Sequence, residues 1–308
     1  PVTAMLVQNT NPAAVAPDTN RVLKGLKRDD LFLCVHEQFL TETAQLADII
    51  LPATMFLEHD DIYQAGGHMH LQIHRAVIEA PEQTRSNHWV INELAKRLGA
   101  QHPGFGMTEW ELIDKTLLDS GWPSADALLE KKWHDVQPSF ADSHFLNGFP
   151  TSTGRFQFSA DWSKLGPLGS KLPNYPDHCD NIDSATAEKP FRLITSPARN
   201  YLNTSFTETP TSKRKEVRPT VKIHPDAASQ LCLEDGDKVR LGNEQGSVVL
   251  NVSIFSGLQT NVVVVESVWP NSAFEEGVGI NTLISAEPGP PNGGAVFHDT
   301  AIWIKPAG

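Results

Sequence analysis

The sequence predicts a chain of two parts, a parallel α/β unit followed by a small closed β-barrel. Near the start, short apolar runs of strand length alternate with segments of helical spacing, and this alternation is typical of a parallel sheet. From residue 191 onward, short apolar runs are separated by turns at intervals of about 8–12 residues, which is typical of a barrel. The first three runs are residues 4–7, 31–35 and 49–51.

Capping residues and apolar spacing mark the helices of the first part. Thr108 is followed three residues later by Glu111, a pair that forms a capping box at the start of a helix. Gly99 stands just past an amphipathic run, where a helix stops. The predicted helices span residues 18–27, 88–98, 108–120 and 125–133.

The stretch 137–189 between the two parts is rich in Pro, Gly, Ser and Asp, with scattered aromatic residues. Within it, 154–158 alternates as a strand does. We expect the rest to wrap over its neighbours and to pack by its aromatic side chains. The chain therefore divides into the end of an α/β cofactor-binding domain at 1–105, a helical and irregular connection at 106–190 and a β-barrel at 191–308.

The barrel prediction includes one short helix, 225–230, which has a proline at its first position. Residues 235–237 and 242–246 are typical of turns between strands. The proline- and glycine-rich stretch 289–294 indicates a rigid loop before the last strand. The strands are expected at 191–194, 220–224, 238–241, 247–254, 262–266 and 301–305.

Composition excludes several classes of protein. The net charge of −12 argues against nucleic acid or an anionic membrane as the main partner. No run of about 18 apolar residues exists, so no membrane span is predicted. Cys34, Cys179 and Cys232 are far apart in the sequence, which fits a reducing compartment, the cytoplasm. The chain begins at Pro1 and enters a strand almost at once, so we expect it to be the later part of a longer polypeptide.

Polar residues follow each of the first three predicted strands. They are residues 9–11, the pair His36 and Glu37, and the pair Glu58 and His59. Ligands of parallel sheets sit beyond the carboxyl ends of the strands, so these side chains are candidates for a binding site. No GxGxxG motif follows a strand, and an ordinary NAD site is therefore not predicted.

The polar loop 194–209 follows the first strand of the barrel. It carries seven hydroxyl side chains, two Asn amides and Arg199. Hydroxyls, amides and a planar guanidinium are groups that hold phosphates and nucleotide edges. The alternative is a solvated loop that joins two strands.

Histidines are concentrated at 59–74. His68, His70 and His74 share parity, so on a strand they would lie on one face. One interpretation is a metal site, and a His-dependent metallohydrolase would follow from it. The other is an amphipathic hairpin with a solvated His face, because a Gly pair precedes His68 and apolar residues alternate with the histidines.

Several stretches resemble, in the same order along the chain, the bis-molybdopterin guanine dinucleotide oxidoreductases. This is the dimethyl sulfoxide reductase superfamily, which includes formate dehydrogenases and periplasmic nitrate reductases. The stretch 41–52, TETAQLADIILP, is similar to the family's "TETA…AD-hydrophobic-LP" signature. The other similar stretches are 9–12 (NTNP), Glu58, 192–205, 224–228 (HPDAA) and 235–237 (DGD).

The resemblance implies a partial Rossmann-like α/β domain followed by a double-psi-like barrel. It also implies a cofactor, molybdenum bis(molybdopterin guanine dinucleotide), with tungsten as an alternative metal. Asn87 stands where the family often has Asp, and His59 and His298 where some members have Lys. The positions implied to contact the cofactor are Asn11, His36, Glu37, His59, Asn87, Thr195, Ser196, Pro197, Arg199, Asn203, Thr204, Trp269, Asn281 and His298.

The family's iron–sulfur cysteines and its metal-ligating residue have no counterpart in this chain. The resemblance therefore implies that the chain holds the cofactor without ligating the metal, and that it contains no catalytic residue of its own. An iron–sulfur cluster would be possible only in the missing N-terminal part. The implied partners are that N-terminal half, a small-molecule substrate and an unknown electron-transfer partner. The alternative function is a non-catalytic carrier or assembly subunit for the pterin dinucleotide.

Overall fold

The structure is a computed structural model that describes residues 1–159, 161–175, 177 and 184–307. Its first sheet is parallel, with the strand order β1-β2-β3, as the alternating pattern predicts. The strands are β1 (Ala4–Gln8), β2 (Phe32–Glu37) and β3 (Ile49–Pro52). The intervening helices are α1 (Pro12–Val15), α2 (Thr19–Leu26) and a 3₁₀ turn (Ala44–Leu46).

Burial in this sheet is greatest on its central strand, β2. Val7, Leu33 and Val35 are buried on the face that packs on α1, α2 and the 3₁₀ turn. On the other face Phe32 is exposed, and Ile49 at the edge is 45% exposed. The expectation that β3 is a buried strand is therefore wrong, because β3 is an edge strand among the described residues and its Ile50, on the packed face, is also 45% exposed.

An antiparallel sheet and three helices follow. The hairpin expected around the histidines is present, and the capping box of Thr108 and Glu111 is confirmed. Leu71, Ile73 and Leu117 form the core between sheet and helices. The strands are β4 (Asp61–Gln64), β5 (His70–His74) and β6 (His134–Asp135). The helices are α3 (Asn87–Leu98), a 3₁₀ turn (Pro103–Gly106), α4 (Glu109–Asp119) and α5 (Ala125–Lys131).

The connection to the barrel contains helix α6 (Phe140–Ser143) and a 3₁₀ segment (Trp162–Lys171). The strand expected at 154–158 is not formed. Its two phenylalanines, Phe156 and Phe158, instead pack edge to face with ring centroids 4.9 Å apart, and Phe149 lies on Phe156. An alternating segment becomes a strand only when a neighbouring strand pairs with it, and this segment has aromatic contacts in place of such pairing. Cys179 lies outside the described residues.

Six strands close into a barrel, as predicted. Their order around the barrel is β10-β8-β11-β7-β14-β9. Two pairs, β8 with β10 and β7 with β11, are parallel, and the other neighbours are antiparallel. The strands are β7 (Phe191–Ile194), β8 (Thr220–Ile223), β9 (Lys238–Asn243), β10 (Gly246–Ile254), β11 (Val262–Val265) and β14 (His298–Pro306). The remaining elements are helices α7 (Pro210–Glu216) and α8 (Pro225–Gln230), 3₁₀ turns (Asn271–Ala273, Ile280–Leu283), and a hairpin of β12 (Pro288–Gly289) and β13 (Gly294–Ala295).

Hydrogen bonds hold the barrel against the first unit. The Asn281 amide donates to the carbonyls of Ala14 and Val15 at 3.1 and 3.0 Å. The Asn271 amide donates to the carbonyl of Ala13 at 2.9 Å. All of these acceptors belong to helix α1, which directly follows the loop after β1. The barrel therefore fixes the position of a loop at the sheet's carboxyl edge.

Glu42 adds a second tie between the units. Its Oε1 accepts from the backbone N–H of Asn271 at 2.9 Å, and its Oε2 accepts from the Asn11 amide at 2.7 Å. Asn11 in turn accepts from the backbone N–H and the hydroxyl of Thr43. One carboxylate thus joins the loops after β1 and β2 to a turn of the barrel.

No helix in the described part of the chain has the length and the apolar character that a bilayer crossing requires.

Candidate cofactor-binding site

The carboxyl ends of the three parallel strands open into a cavity of about 340 Å³. Asn9 follows β1, Gln38 follows β2 and Thr54 follows β3, so each strand contributes one polar residue. This position is the one that open α/β sheets use for ligands. The residues that line the cavity are Asn9, Gln38, Thr54, Phe56, His59, Asp60, Asp61, Tyr63, Ser86, Asn87, His88 and Glu109.

Hydrogen bonds among these side chains fix the geometry of the first cavity. The Asn9 amide donates to Oδ1 of Asn87 at 3.2 Å. The Gln38 amide donates to the carbonyl of Thr54 at 2.9 Å, and the Thr54 hydroxyl lies 2.8 Å from Nδ1 of His59. Polar side chains from the three strand ends are therefore held in two sets, Asn9 with Asn87, and Gln38 with Thr54 and His59.

Carboxylates also line the first cavity. Oδ2 of Asp61 is 3.6 Å from Nε2 of His59. Burial, together with the neighbouring Asp61 carboxylate, raises the pKa of Tyr63 to about 12, so its phenol stays protonated at neutral pH. The cavity therefore offers both amide donors and carboxylate acceptors to a ligand.

A second cavity of about 490 Å³ adjoins the first and lies between the strand ends and the barrel loop. The two cavities share Asn9, Gln38 and Phe56. Hydroxyl and amide side chains predominate among its polar groups, and none of the described lysines or arginines lines it. The lining residues are Asn9, Thr10, Asn11, Glu37, Gln38, Phe39, Thr41, Met55, Phe56, Thr204, Ser205, Phe206, Glu208 and Thr209.

Glu37 is the half-buried carboxylate of the second cavity. Burial raises the pKa of Glu37 above its usual range, although the backbone N–H of Gln38 donates to it at 2.7 Å. The folded chain therefore binds this proton more tightly than the unfolded chain does. Stability conferred at this position decreases as the pH rises from the ordinary carboxyl pKa through the raised one.

Replacing Glu37 by Gln is expected to raise the melting temperature at pH 7, because Gln keeps the acceptor oxygen and cannot ionise. The difference from the parent chain should shrink as the pH falls towards about 4, where an ordinary carboxyl group is protonated. Thermal unfolding measured across this pH range tests the expectation. Glu79→Gln, on an exposed loop, is the matched control. Equal pH profiles for the two variants would contradict the effect expected for Glu37→Gln.

Comparison with known proteins identifies the two units separately. The model of the Molybdopterin oxidoreductase family matches residues 1–97, and that of the Molydopterin dinucleotide binding domain matches residues 191–301. The chain belongs to the molybdopterin oxidoreductase superfamily. The first match contains the three strand ends, and the second contains the whole barrel up to β14.

Relatives of this superfamily align with almost the whole chain. The "Probable oxidoreductase YoaE" of Bacillus subtilis is 30% identical over 99% of this chain and 44% of its own length. The "Trimethylamine-N-oxide reductase" of Haemophilus influenzae is 25% identical over 84% of this chain and 35% of its own length. The chain thus spans less than half the length of these relatives.

The fold is also that of a solved structure. The structure of "Acetylene Hydratase from Pelobacter acetylenicus" superposes on 100% of this chain and 44% of its own, with a TM-score of 0.81. The sequence identity is 19%, so this likeness concerns the fold alone.

The structure gathers some of the residues singled out by the superfamily motifs around the two cavities. His59 and Asn87 line the first cavity. The second cavity is lined by Asn11, Glu37 and Thr204.

Other residues of that set are held by protein groups. His36 is fully buried, with Nε2 at 2.9 Å from the carbonyl of Arg85, and Asn281 is 3% exposed and bound to α1. The Thr195 hydroxyl donates to the carbonyl of Phe297, and Trp269 packs edge to face on Tyr201. These side chains position backbone segments and line neither cavity.

The remaining members of the set lie on the rim of the barrel. Ser196 and Pro197 pair with the segment at Ser267 through backbone contacts. Arg199 is exposed, and the structure records no hydrogen bond or ion pair for its guanidinium within the described residues. Asn203 and His298 are also exposed, and none of the five lines either cavity.

The barrel loop itself is fastened by helix α7, which sequence analysis missed. Oε1 of Glu216 accepts from the backbone N–H and the side-chain amide of Asn200, at 2.6 and 2.7 Å. This carboxylate therefore fixes the backbone next to Arg199.

The histidine cluster has a structural role. The Tyr63 ring stacks on His74 with centroids 5.2 Å apart, and His70 packs on Trp133 at 4.5 Å. Within the described residues no group of three His, Cys, Asp or Glu side chains is placed to hold a metal ion. The metallohydrolase interpretation therefore has no structural basis there.

Several lining residues were missed from the sequence. Gln38 and Thr54 could have been found, because each lies three residues past the end of a predicted strand. Ser86 and Glu109 had no such signal, since they enter the first cavity from a helix cap and a later helix.

Proposed function

We propose that this chain is the portion of a molybdenum oxidoreductase that holds the guanine dinucleotide and pterin parts of molybdenum bis(molybdopterin guanine dinucleotide). One observation carries the proposal: three strand ends of the first unit and the 204–209 loop of the barrel line two cavities that share Asn9, Gln38 and Phe56. The family matches cover the same two units. When bound, the cofactor supplies oxygen-atom transfer or electron and proton transfer to a small substrate, chemistry that side chains alone do not provide.

The donor set of the first cavity fits the guanine base. Guanine presents an acceptor oxygen and N–H donors on one edge, and the cavity offers amide donors and carboxylate acceptors. Asn9, Asn87 and Gln38 would bind the oxygen, and Asp61 would accept from the N–H groups. His59 and Thr54, which contact each other, would orient the ribose side of the ligand.

The second cavity fits the phosphate and the planar ring system. Its lining includes the hydroxyls of Thr204 and Ser205 and the amide of Asn9, and such neutral donors hold phosphate oxygens. Phe56 and other apolar residues supply surface for a ring. Arg199, on the fastened loop beyond this cavity, would meet the part of the ligand that extends past it.

The proposal also assigns roles to the three parts of the chain and to the other half of the enzyme. The first 105 residues complete an α/β cofactor-binding domain, 106–190 wrap over it, and 191–308 form the cofactor-binding barrel. An N-terminal half of the same enzyme, in the cytoplasm, would supply the metal ligand and the substrate funnel. Any iron–sulfur cluster and the contact with an electron-transfer partner would also belong to that half.

Guanosine diphosphate tests the base site. We expect the chain to bind it at least about tenfold more tightly than adenosine diphosphate, because adenine leaves the paired donors and acceptors unmatched. Asn87→Ala should weaken guanosine diphosphate binding about fivefold, the value of one hydrogen bond of about 1 kcal/mol. Equilibrium dialysis measures both affinities.

The matched control is Asn261→Ala, which removes an exposed amide that lines neither cavity. Its affinity for guanosine diphosphate should equal that of the parent chain. Equal binding of the two nucleotides, or equal effects of the two Asn variants, would overturn the proposed base site.

A further inference from the structure

The start of helix α3 carries Asn87, one of the amides of the proposed base site, as its first residue. Just before it, the chain is fixed to the parallel sheet. The carbonyl of Arg85 accepts from the backbone N–H of Thr54 at 3.2 Å, and the N–H of Arg85 donates to the carbonyl of Pro52 at 3.0 Å. Pro52 ends β3, and Thr54 follows it by two residues. One side of the α3 start is therefore held by a strand end.

The first turn of α4 holds the other side of the α3 start. Ser86 is the N-cap of α3, and its Oγ accepts from the backbone N–H of Trp89 at 3.2 Å. The same hydroxyl donates to Oε1 of Glu109, the first residue of α4. A serine hydroxyl has a single proton and can rotate, so an acceptor for that proton fixes its direction. Glu109 therefore fixes the hydroxyl group that caps α3.

Hydrogen bonds are the main contacts available to this junction of two helix starts. Ser86 and Glu109 line both the first cavity and a larger cavity of about 1060 Å³, whereas Asn87 lines the first cavity but not the larger one. Side chains that border two cavities have atoms without packed neighbours on those sides, so packing holds them less firmly than it holds a core residue. A second contact joins the same helix starts, since Nε2 of His88 lies 2.8 Å from the carbonyl of Met107.

We propose that Glu109 is a positioning residue of the base site, which acts through Ser86 to set the start of α3 and hence the direction of the Asn87 amide. This role rests on the proposed function, since Asn87 is one of the groups proposed to bind the guanine oxygen. Oδ1 of Asn87 accepts from the Asn9 amide at 3.2 Å, so the N–H groups of Asn87 remain for the ligand. Hydrogen bonds weaken steeply when the donor is misaligned, so a displaced α3 start would bind the base less well.

The competing role for Glu109 is that of an ordinary acidic residue in the first turn of α4, where the helix dipole favours a negative charge. Glu111 occupies the same turn and closes the capping box with Thr108, so its recorded hydrogen bonds stay within the start of its own helix. Glu109 instead contacts Ser86, 23 residues earlier in the chain. Glu111 is therefore the matched control for Glu109.

Equilibrium dialysis of guanosine diphosphate tests the role of Glu109. Glu109→Ala should weaken binding about threefold, which is less than the fivefold expected when Asn87 itself is lost, because Glu109 acts through that residue. Glu109→Gln should bind as the parent chain does, since Gln keeps an acceptor oxygen for the Ser86 hydroxyl. Glu111→Ala should also bind as the parent chain does, although it loses the capping box.

A double variant separates positioning from a general structural effect. In a chain that already carries Asn87→Ala, Glu109→Ala should weaken nucleotide binding no further, because the group that it positions is gone. An effect on the fold as a whole would weaken binding equally in both backgrounds.

Hydrogen exchange of the Trp89 amide measures the α3 start without any ligand. The backbone N–H of Trp89 should exchange about fivefold faster in Glu109→Ala than in the parent chain, the size of effect expected for one lost helix cap. In Glu109→Gln and Glu111→Ala it should exchange as in the parent chain.

Three results would overturn the role of Glu109. They are an unchanged exchange rate at Trp89 in Glu109→Ala, equal effects of Glu109→Ala and Glu109→Gln, and a full further loss of affinity when Glu109→Ala is added to Asn87→Ala. The last would show a direct contact between Glu109 and the nucleotide. A parent chain that binds guanosine and adenosine diphosphates equally would refute the proposed base site, and exchange at Trp89 would then still decide whether Glu109 sets the α3 start.

Discussion

Replacing Glu42 by alanine is expected to lower the free energy of unfolding by about 3 kcal/mol, because two hydrogen bonds to a carboxylate are lost. Glu42 joins the Asn11 amide of the first unit to the Asn271 backbone N–H of the barrel, at 2.7 and 2.9 Å. Both donors lie in residues that are at most 5% exposed, so solvent replaces the carboxylate poorly. The expected result is a protein in which the two units are less strongly coupled.

Differential scanning calorimetry measures this effect. The parent chain should unfold with the two units coupled, whereas Glu42→Ala should separate the transition of the first unit from that of the barrel. The coupling of the two transitions in Glu42→Gln should lie between that of the parent chain and that of Glu42→Ala. The reason is that the single oxygen of Gln can accept from only one of the two donors, and its amide opposes the other donor. Glu79→Ala removes an exposed carboxylate and is the control. A Glu42→Ala thermogram that matches this control would contradict the role of Glu42.

Replacing Asn281 by alanine is expected to cost about 2–3 kcal/mol. The change removes two hydrogen bonds to helix α1 and leaves the carbonyls of Ala14 and Val15 without these donors. The resemblance assigns Asn281 to the cofactor, but the side chain is 3% exposed and lines neither cavity. We therefore expect its loss to act on stability.

Two measurements separate these roles. Chemical unfolding should show the loss of stability, and equilibrium dialysis should show an affinity for guanosine diphosphate within about twofold of the parent chain. Asn87→Ala is expected to show the reverse pattern, with weaker nucleotide binding and little change in stability. An Asn281→Ala variant that folds as stably as the parent and binds the nucleotide poorly would support a direct ligand contact instead.

The periodicity of the sequence was sufficient to predict the two units and the edge of the sheet where the cavities lie. Polar residues directly after apolar runs placed Glu37 and His59 at strand ends, and both line a cavity. Local signals determine such positions, because a strand and its polar end are neighbours in the chain. The capping box at Thr108 was predictable for the same reason.

Contacts between distant segments were not predictable. Glu42 and Asn271 are separated by 229 residues, and neither carries a local signal of the other. The three apolar runs of the first sheet looked alike in the sequence, although the central strand β2 is largely buried and the edge strand β3 is exposed. Whether a neighbouring element covers a strand depends on the rest of the fold. The strand predicted at 154–158 is not formed for a similar reason, because an alternating segment becomes a strand only when another strand pairs with it.

The strand order of the barrel determines when the second cavity, which the barrel loop lines, can be completed. β14, the last strand in the sequence, lies between β7 and β9, so the ring cannot close until that strand has been synthesised. The Thr195 hydroxyl at the start of the barrel loop is held by the carbonyl of Phe297, just before β14. Pairings between such distant segments form late, because the chain between them must first be brought together. A nascent chain therefore lacks the closed barrel until β14 has been synthesised, and a ligand that needs the barrel loop in place can bind only after that point.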